Sequence, residues 1–165
     1  MLFRLFEAVE AMPSSVAIRE SLYLYPVIEG VHVLSTCIFF GLVAMMDLRL
    51  VSATLRSAAV TEVQHRLFPW QMFGFALMAV SGVILVFAEP LRFYSNIFFQ
   101  VKMVLLALAG LNMFIFHTGV YQRVAEWDHH EVPPGRARLA GAVSMMLFSG
   151  VVVCGRMIAY NWFGK

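Results

Sequence analysis

Four long apolar stretches separated by short polar ones set the pattern of this chain. They run roughly over Leu22–Met46, Leu67–Ala88, Ile97–Tyr121 and Leu139–Phe163. At about 1.5 Å per residue, each is long enough for a helix to cross a hydrocarbon core of about 30 Å. Ahead of them, Leu2, Phe3, Leu5, Phe6 and Val9 recur at helical spacing within Met1–Met12. That pattern predicts a short amphipathic helix on the membrane surface over residues 1–12. Glu7 and Glu10 and the lack of a long apolar run argue against a cleaved signal peptide. Pro13-Ser14-Ser15 breaks the first helix and starts the next element, predicted to run past Arg19 and Glu20 into the first span. The fold class is therefore all-α: an integral membrane four-helix bundle over residues 14–165, with an N-terminal interfacial helix.

Local punctuation fits these spans. Tyr23 and Tyr25 suit an aromatic belt, Pro26 is placed to bend the first membrane turn, and Asp47 and Arg49 mark the exit. A polar loop over 48–66, with room for a short helix, leads to an entry at Pro69-Trp70 and an exit at Glu89-Pro90. Lys102 is close enough to the start of the third span to snorkel. Pro133-Pro134-Gly135 is a firm break, and Tyr160, Trp162 and Phe163 form a terminal aromatic group.

Composition strengthens the membrane reading. The 165 residues are 61% hydrophobic and only 13% charged, against about 25% charged in soluble domains. A net charge of +2 with no basic run excludes nucleic acid as a partner. No phosphate-binding glycine loop, nucleophile elbow or zinc-type cysteine pair is present. Cys37 and Cys154 lie in different spans and read as small core residues. Arg49, Arg56, Arg66, Arg123, Arg136 and Arg138 fall in the first and third loops, against Arg92 and Lys102 in the second and Arg4, Arg19 and Lys165 in the tails. The positive-inside rule then puts loops one and three in the cytoplasm of a bacterial inner membrane and both termini in the periplasm.

Ionisable residues inside the spans mark the candidate site, because hydrocarbon makes each of them costly. Tyr25, Glu29, His32 and Thr36 share one helical face and are expected to point into the bundle. Glu29 and His32 form a Glu-x-x-His pair of the kind that ligates di-metal centres, but the other spans lack the further carboxylates. His117 shares a face with Met113 and Gly110, and Gly110 leaves room for a flat ligand or for close helix packing. Two membrane histidines on different helices are the usual requirement for b-type haem, with His32 and His117 as axial ligands. Arg156 would balance a propionate, or else be an interfacial arginine or a partner of Glu89 or Glu29.

Height is a difficulty for that pairing. Counted back from Asp47 and Arg123 at 1.5 Å per residue, His32 and His117 lie about 22 and 9 Å from the inner surface. Met78 near His32, or Met145 and Met146 near His117, are the alternative ligands. His65, His129 and His130 read as solvated residues near the membrane, His129-His130 also as a weak metal pair and His65 as a cap over an inner site with His117.

Several segments carry a resemblance: Pro26-Val-Ile-Glu-Gly-Val-His32, Met46-Asp-Leu-Arg49, Glu89-Pro90, Lys102 through Asn112, Phe116-His117 and Gly155-Arg156-Met-Ile-Ala-Tyr160. On these, nearly the whole chain resembles a family of small bacterial four-span inner-membrane proteins with no established activity. More distantly it is similar to the copper-resistance-D and cytochrome-b561-like groups, which implies haem electron transfer or copper handling. The chain lacks the fuller histidine set of a two-haem cytochrome b561. The leading expectation is a membrane haem-b protein passing electrons, for example between quinol and a periplasmic redox protein. A metal or small-solute transporter using the Glu29–His32 stripe is the first alternative. Four spans make a narrow pathway, so transport would call for a homo-oligomer; the second alternative is a cofactor-free structural subunit of a larger membrane complex.

Overall fold

A computed structural model describes residues 2–160. Trp162, Phe163 and Lys165 lie outside the described residues. The elements are α1 (Leu2–Glu10), α2 (Pro13–Arg19), α3 (Leu24–Leu50), α4 (Val60–Ala88), α5 (Pro90–Ser95), α6 (Ile97–Thr118), a 3-10 segment η1 (Val120–Glu126) and α7 (Gly135–Ile158). The four long helices are each apolar and long enough to cross a membrane. The fold is an all-helical four-helix bundle of a multi-pass membrane protein.

Helix ends differ from the sequence reading for local reasons. The chain breaks between α2 and α3 instead of running on as one helix. Pro26 then falls in the first turn of α3, where no intrahelical amide bond is lost, so it does not act as a mid-helix bend. Helix α4 begins at Val60, which places Pro69 inside it and not at its entry. Asn96 caps α6 through its side-chain oxygen, which accepts from the amides of Phe98 and Phe99. Asp47 and Arg49 are still helical and both are buried.

Helix α3 packs on α4 and on α7, and α6 docks on α7, while α4 and α6 are not a packed pair. Lipid tails are as apolar as leucine, so the packing relies on close approach and interhelical hydrogen bonds. Gly74 and Gly141 supply the approach: a methyl group on Gly141 would sit 3.0 Å from the Leu50 side chain and 3.1 Å from the Asp47 carbonyl. Gln71 donates to the Leu42 carbonyl across α3–α4, and Asn112 to the Ala140 carbonyl across α6–α7. Phe39 stacks with Phe75 and Phe148 at the α4–α3–α7 junction. Only 6% of the most apolar part of α6 is buried, against 28% in α4 and in α7, so most of α6 is turned to the outside of the bundle. Cys37 is exposed as well, not the core residue expected, while Cys154 is buried.

The amphipathic α1 packs on α5, with Phe3 and Phe6 against Tyr94. The fully buried Ser15 of α2 donates to the Phe87 and Ala88 carbonyls, and Arg19 reaches Ala88 while pairing with Glu10. Helix α2 thus satisfies the open carbonyl end of α4. At the opposite end, called here the η1 side, Met46, Leu50, Val60, Val63, Phe116, Trp127 and Ala137 form a continuous apolar cluster.

Candidate functional site

His32 is held between α3 and α4. Its Nδ1 lies 3.0 Å from the Met78 carbonyl and 3.0 Å from Ser81 Oγ. The carbonyl only accepts, and the Ser81 hydroxyl proton is already directed to the carbonyls of Leu77 and Met78. Nδ1 therefore carries the proton and shares it between both oxygens. A neutral imidazole in that tautomer keeps an unprotonated Nε2, the form that binds a metal. The ring lies over Gly82, where a methyl group would meet Cε1 at 3.0 Å. Ser35 and Thr36 both donate to the His32 carbonyl, which fixes the backbone on the other side of the residue.

Lys102 of α6 does not snorkel outward. Its Nζ lies against Gly155 of α7, 3.6 Å from where a Cβ would stand, and its charge reaches both His32 and Cys154. No hydrogen bond or ion pair holds the ammonium among the described residues. Spacing near a helix start suggested a snorkelling lysine; only the docking of α6 on α7 turns it inward.

Residues 22–161 match a family of unknown function, DUF6644. The chain belongs to that family. The match takes in all four spans, His32 and Lys102 included, and leaves α1 and α2 outside. Nothing in it links the chain to copper-resistance-D or cytochrome-b561-like proteins. No curated protein and no solved structure matches.

The other sequence-derived residues of this DUF6644 chain lie apart from His32. Tyr25 donates to Glu89 at 2.9 Å, and Arg92 pairs with the same carboxylate. Burial works against the Arg92 charge, but Glu89 outweighs it and holds the guanidinium above its ordinary value. Glu29 is exposed and not turned into the bundle, although its charge reaches Tyr25 and Arg92. The expected inward stripe is therefore interrupted at Glu29.

His117 bonds within its own helix, Nδ1 lying 3.0 Å from the Met113 carbonyl, and stacks near Phe116 and Tyr121. Counted from the starts of α3 and α6, His32 lies about 12 Å along and His117 about 30 Å. The two imidazoles share no neighbour. Gly110 faces open space, with neither a helix nor a side chain against it. Arg156 is exposed and folds onto Tyr160 just beyond the end of its helix, as an interfacial arginine. Met78 does stand beside His32, but through its carbonyl. His65, His129 and His130 are exposed. No group of three or more His, Cys, Asp or Glu gathers at metal-holding distance among the described residues.

The sequence reading missed a second polar system on the η1 side. Arg49 has no exposed surface and donates to the carbonyls of Ala58 and His130, tying loops 51–59 and 127–134 to α3. Asp128 accepts from the amide and hydroxyl of Thr61 and so caps α4 from a distant loop. The signal was present in Met46-Asp-Leu-Arg49, which read as a span exit. Grooves among the described residues include one of about 940 Å³ between α6, η1 and α7 and one of about 340 Å³ beneath α1. Neither is lined by His32.

Proposed function

We propose that this protein is a membrane b-type haem protein of electron transfer, taking electrons from quinol and passing them to a redox partner, with His32 as an axial ligand. The observation that carries this reading is the Nδ1–H shared between the Met78 carbonyl and Ser81, which orients the ring and leaves Nε2 unprotonated. Metal-bound histidines are commonly held by such a second bond. Lys102, inside the span and with no ion pair among the described residues, would supply the positive charge that a buried propionate needs. Bound haem would supply one-electron chemistry at a potential set by ligand and burial.

The fit is to one histidine, not two: His117 is at the wrong height, and Arg156 is turned onto Tyr160. The arginine-rich loops support a cytoplasmic η1 side, which would put His32 in the periplasmic half of an inner-membrane protein.

The test is the visible spectrum of detergent-purified protein made with ample haem supply, before and after dithionite. The expected result is a Soret band that shifts on reduction, is lost in His32→Ala and persists in His117→Ala. A featureless spectrum, or a band lost only in His117→Ala, overturns the proposal. A second reading, a cofactor-free subunit of a larger membrane complex, draws support from α6, which packs chiefly on α7 and leaves most of its surface open. It predicts a colourless protein that co-purifies with larger partners.

A further inference from the structure

The larger groove lies where the membrane interface should be on the η1 side. It starts beside Asn112 and Ile115, inside span α6, and ends beyond it at Arg123 and Arg136. Its inner part is walled by Ile115, Leu139 and Val143, and its outer rim carries both arginines. Ile115 and Leu139 are 58% and 64% exposed, with no protein chain over them. Neither guanidinium has a hydrogen bond or an ion pair among the described residues, in contrast to Arg49, Arg66 and Arg92. Glu126 also lines the groove, so the rim keeps one net positive charge. Helix α7 begins at Gly135, which puts the positive end of its dipole at the same rim, with the amides of Ala137 and Arg138 already bonded to the Pro134 carbonyl.

We propose that this groove binds an anionic phospholipid, with an acyl chain along Ile115, Leu139 and Val143 and the phosphate between Arg123 and Arg136. Charge and depth favour this occupant over a protein segment: the apolar part lies at span level, and the unpaired cations lie at headgroup level. An anionic lipid answers both halves of the groove, whereas a zwitterionic one leaves the net charge uncompensated. The site is independent of the haem reading, being lined by neither His32 nor Lys102.

The experiment uses the full chain, purified in detergent and delipidated. Phosphatidylglycerol, phosphatidylcholine with the same acyl chains, and inorganic phosphate are titrated separately, with native mass spectrometry and melting temperature as readouts. Phosphatidylglycerol should bind and raise the melting temperature, at least tenfold more tightly than phosphatidylcholine. Two arginines near a membrane surface make the loss in Arg123→Ala/Arg136→Ala roughly thirtyfold. Val143→Trp, which fills the apolar part and keeps both charges, should also weaken binding. If the double variant does not fold, the lipid ratio of the wild type and the Val143→Trp protein decide the matter. Equal binding of the two lipids, the same melting shift from inorganic phosphate alone, or unchanged binding in either folded variant overturns the proposal.

Discussion

The two ends of the bundle use buried polar groups in opposite ways. On the η1 side Arg49 is fully enclosed and directs its donors at two loop carbonyls, and Asp128 is matched to Thr61. Arg49 Nη1 and Asp47 Oδ2 are left without a partner among the described residues, yet the bonds that Arg49 and Asp128 do make hold loops on helices. In the half near α5, His32 uses one nitrogen for positioning and keeps the other, and Lys102 sits inside the span with no ion pair among the described residues. On the proposed reading, the left-over imidazole nitrogen and that ammonium are what a bound group would use. His117 sharpens the contrast. It is the same side chain as His32, yet it bonds only to its own helix and so organises nothing between helices.

The largest effect should come from breaking the η1 side. Arg49→Ala leaves the Ala58 and His130 carbonyls without their donor and removes a buried cation from between two loops. A loss of about 3–5 kcal/mol is expected, read as a sharp fall in melting temperature or in folded yield. Arg49→Lys should restore little, since an ammonium lacks the planar fork that addresses both carbonyls. A melting temperature within a degree or two of the wild type would mean that this end is not held as described.

The next contrast is between the two histidines. His32→Ala removes a bond that crosses from α3 to α4 and should cost about 1–2 kcal/mol even without any bound group. His117→Ala removes a bond within one helix and should stay within about 0.5 kcal/mol. Equal effects would erase the distinction between an interhelical and a local histidine.

Gly82→Ala probes the same contact from the α4 side. Its methyl group would meet the ring at 3.0 Å, so the imidazole must shift. An overpacking cost of about 1 kcal/mol is expected. Because the clash needs the ring, the double variant Gly82→Ala/His32→Ala should be no less stable than His32→Ala alone. Additive losses would show that Gly82 matters for some reason other than His32.

Much of the fold was legible because hydropathy and helix length report directly on the four spans. Glu29, His32 and His117 stood out for a similar reason, since an ionisable group within an apolar run is visible without neighbours. What the pattern could not show is which helix faces which. Lys102 read as a snorkelling residue because only the docking of α6 on α7 puts Gly155 beside it. Arg49 read as a span boundary because its acceptor at His130 is 81 residues away, and the cap on α4 was invisible because Asp128 is 67 residues from Thr61. The break between α2 and α3 is likewise tertiary. Ser15 and Arg19 are drawn to the end of α4, and the chain must turn before entering the span.

The smallest effect concerns that distant cap and depends on pH. Burial works to raise the Asp128 carboxyl, but the hydroxyl and amide of Thr61 and the nearby His129 outweigh it, holding the group below its ordinary value. A depressed folded-state value means that the carboxylate adds stability above its unfolded value, about 3.9, and loses it as pH falls through the folded value. The site is partly open to solvent, so the contribution is that of an ordinary helix cap, at most about 1 kcal/mol. The melting temperature of the wild type should therefore fall more steeply on acidification below about pH 4 than that of Asp128→Asn. Other carboxylates titrate in the same range, and the difference between the two curves isolates this one. Thr61→Val should reduce the difference by removing the hydroxyl while leaving the amide donor in place. Parallel curves for wild type and Asp128→Asn would mean that the negative charge at this cap adds nothing, and that α4 is held at the η1 side by Arg49 and the apolar cluster alone.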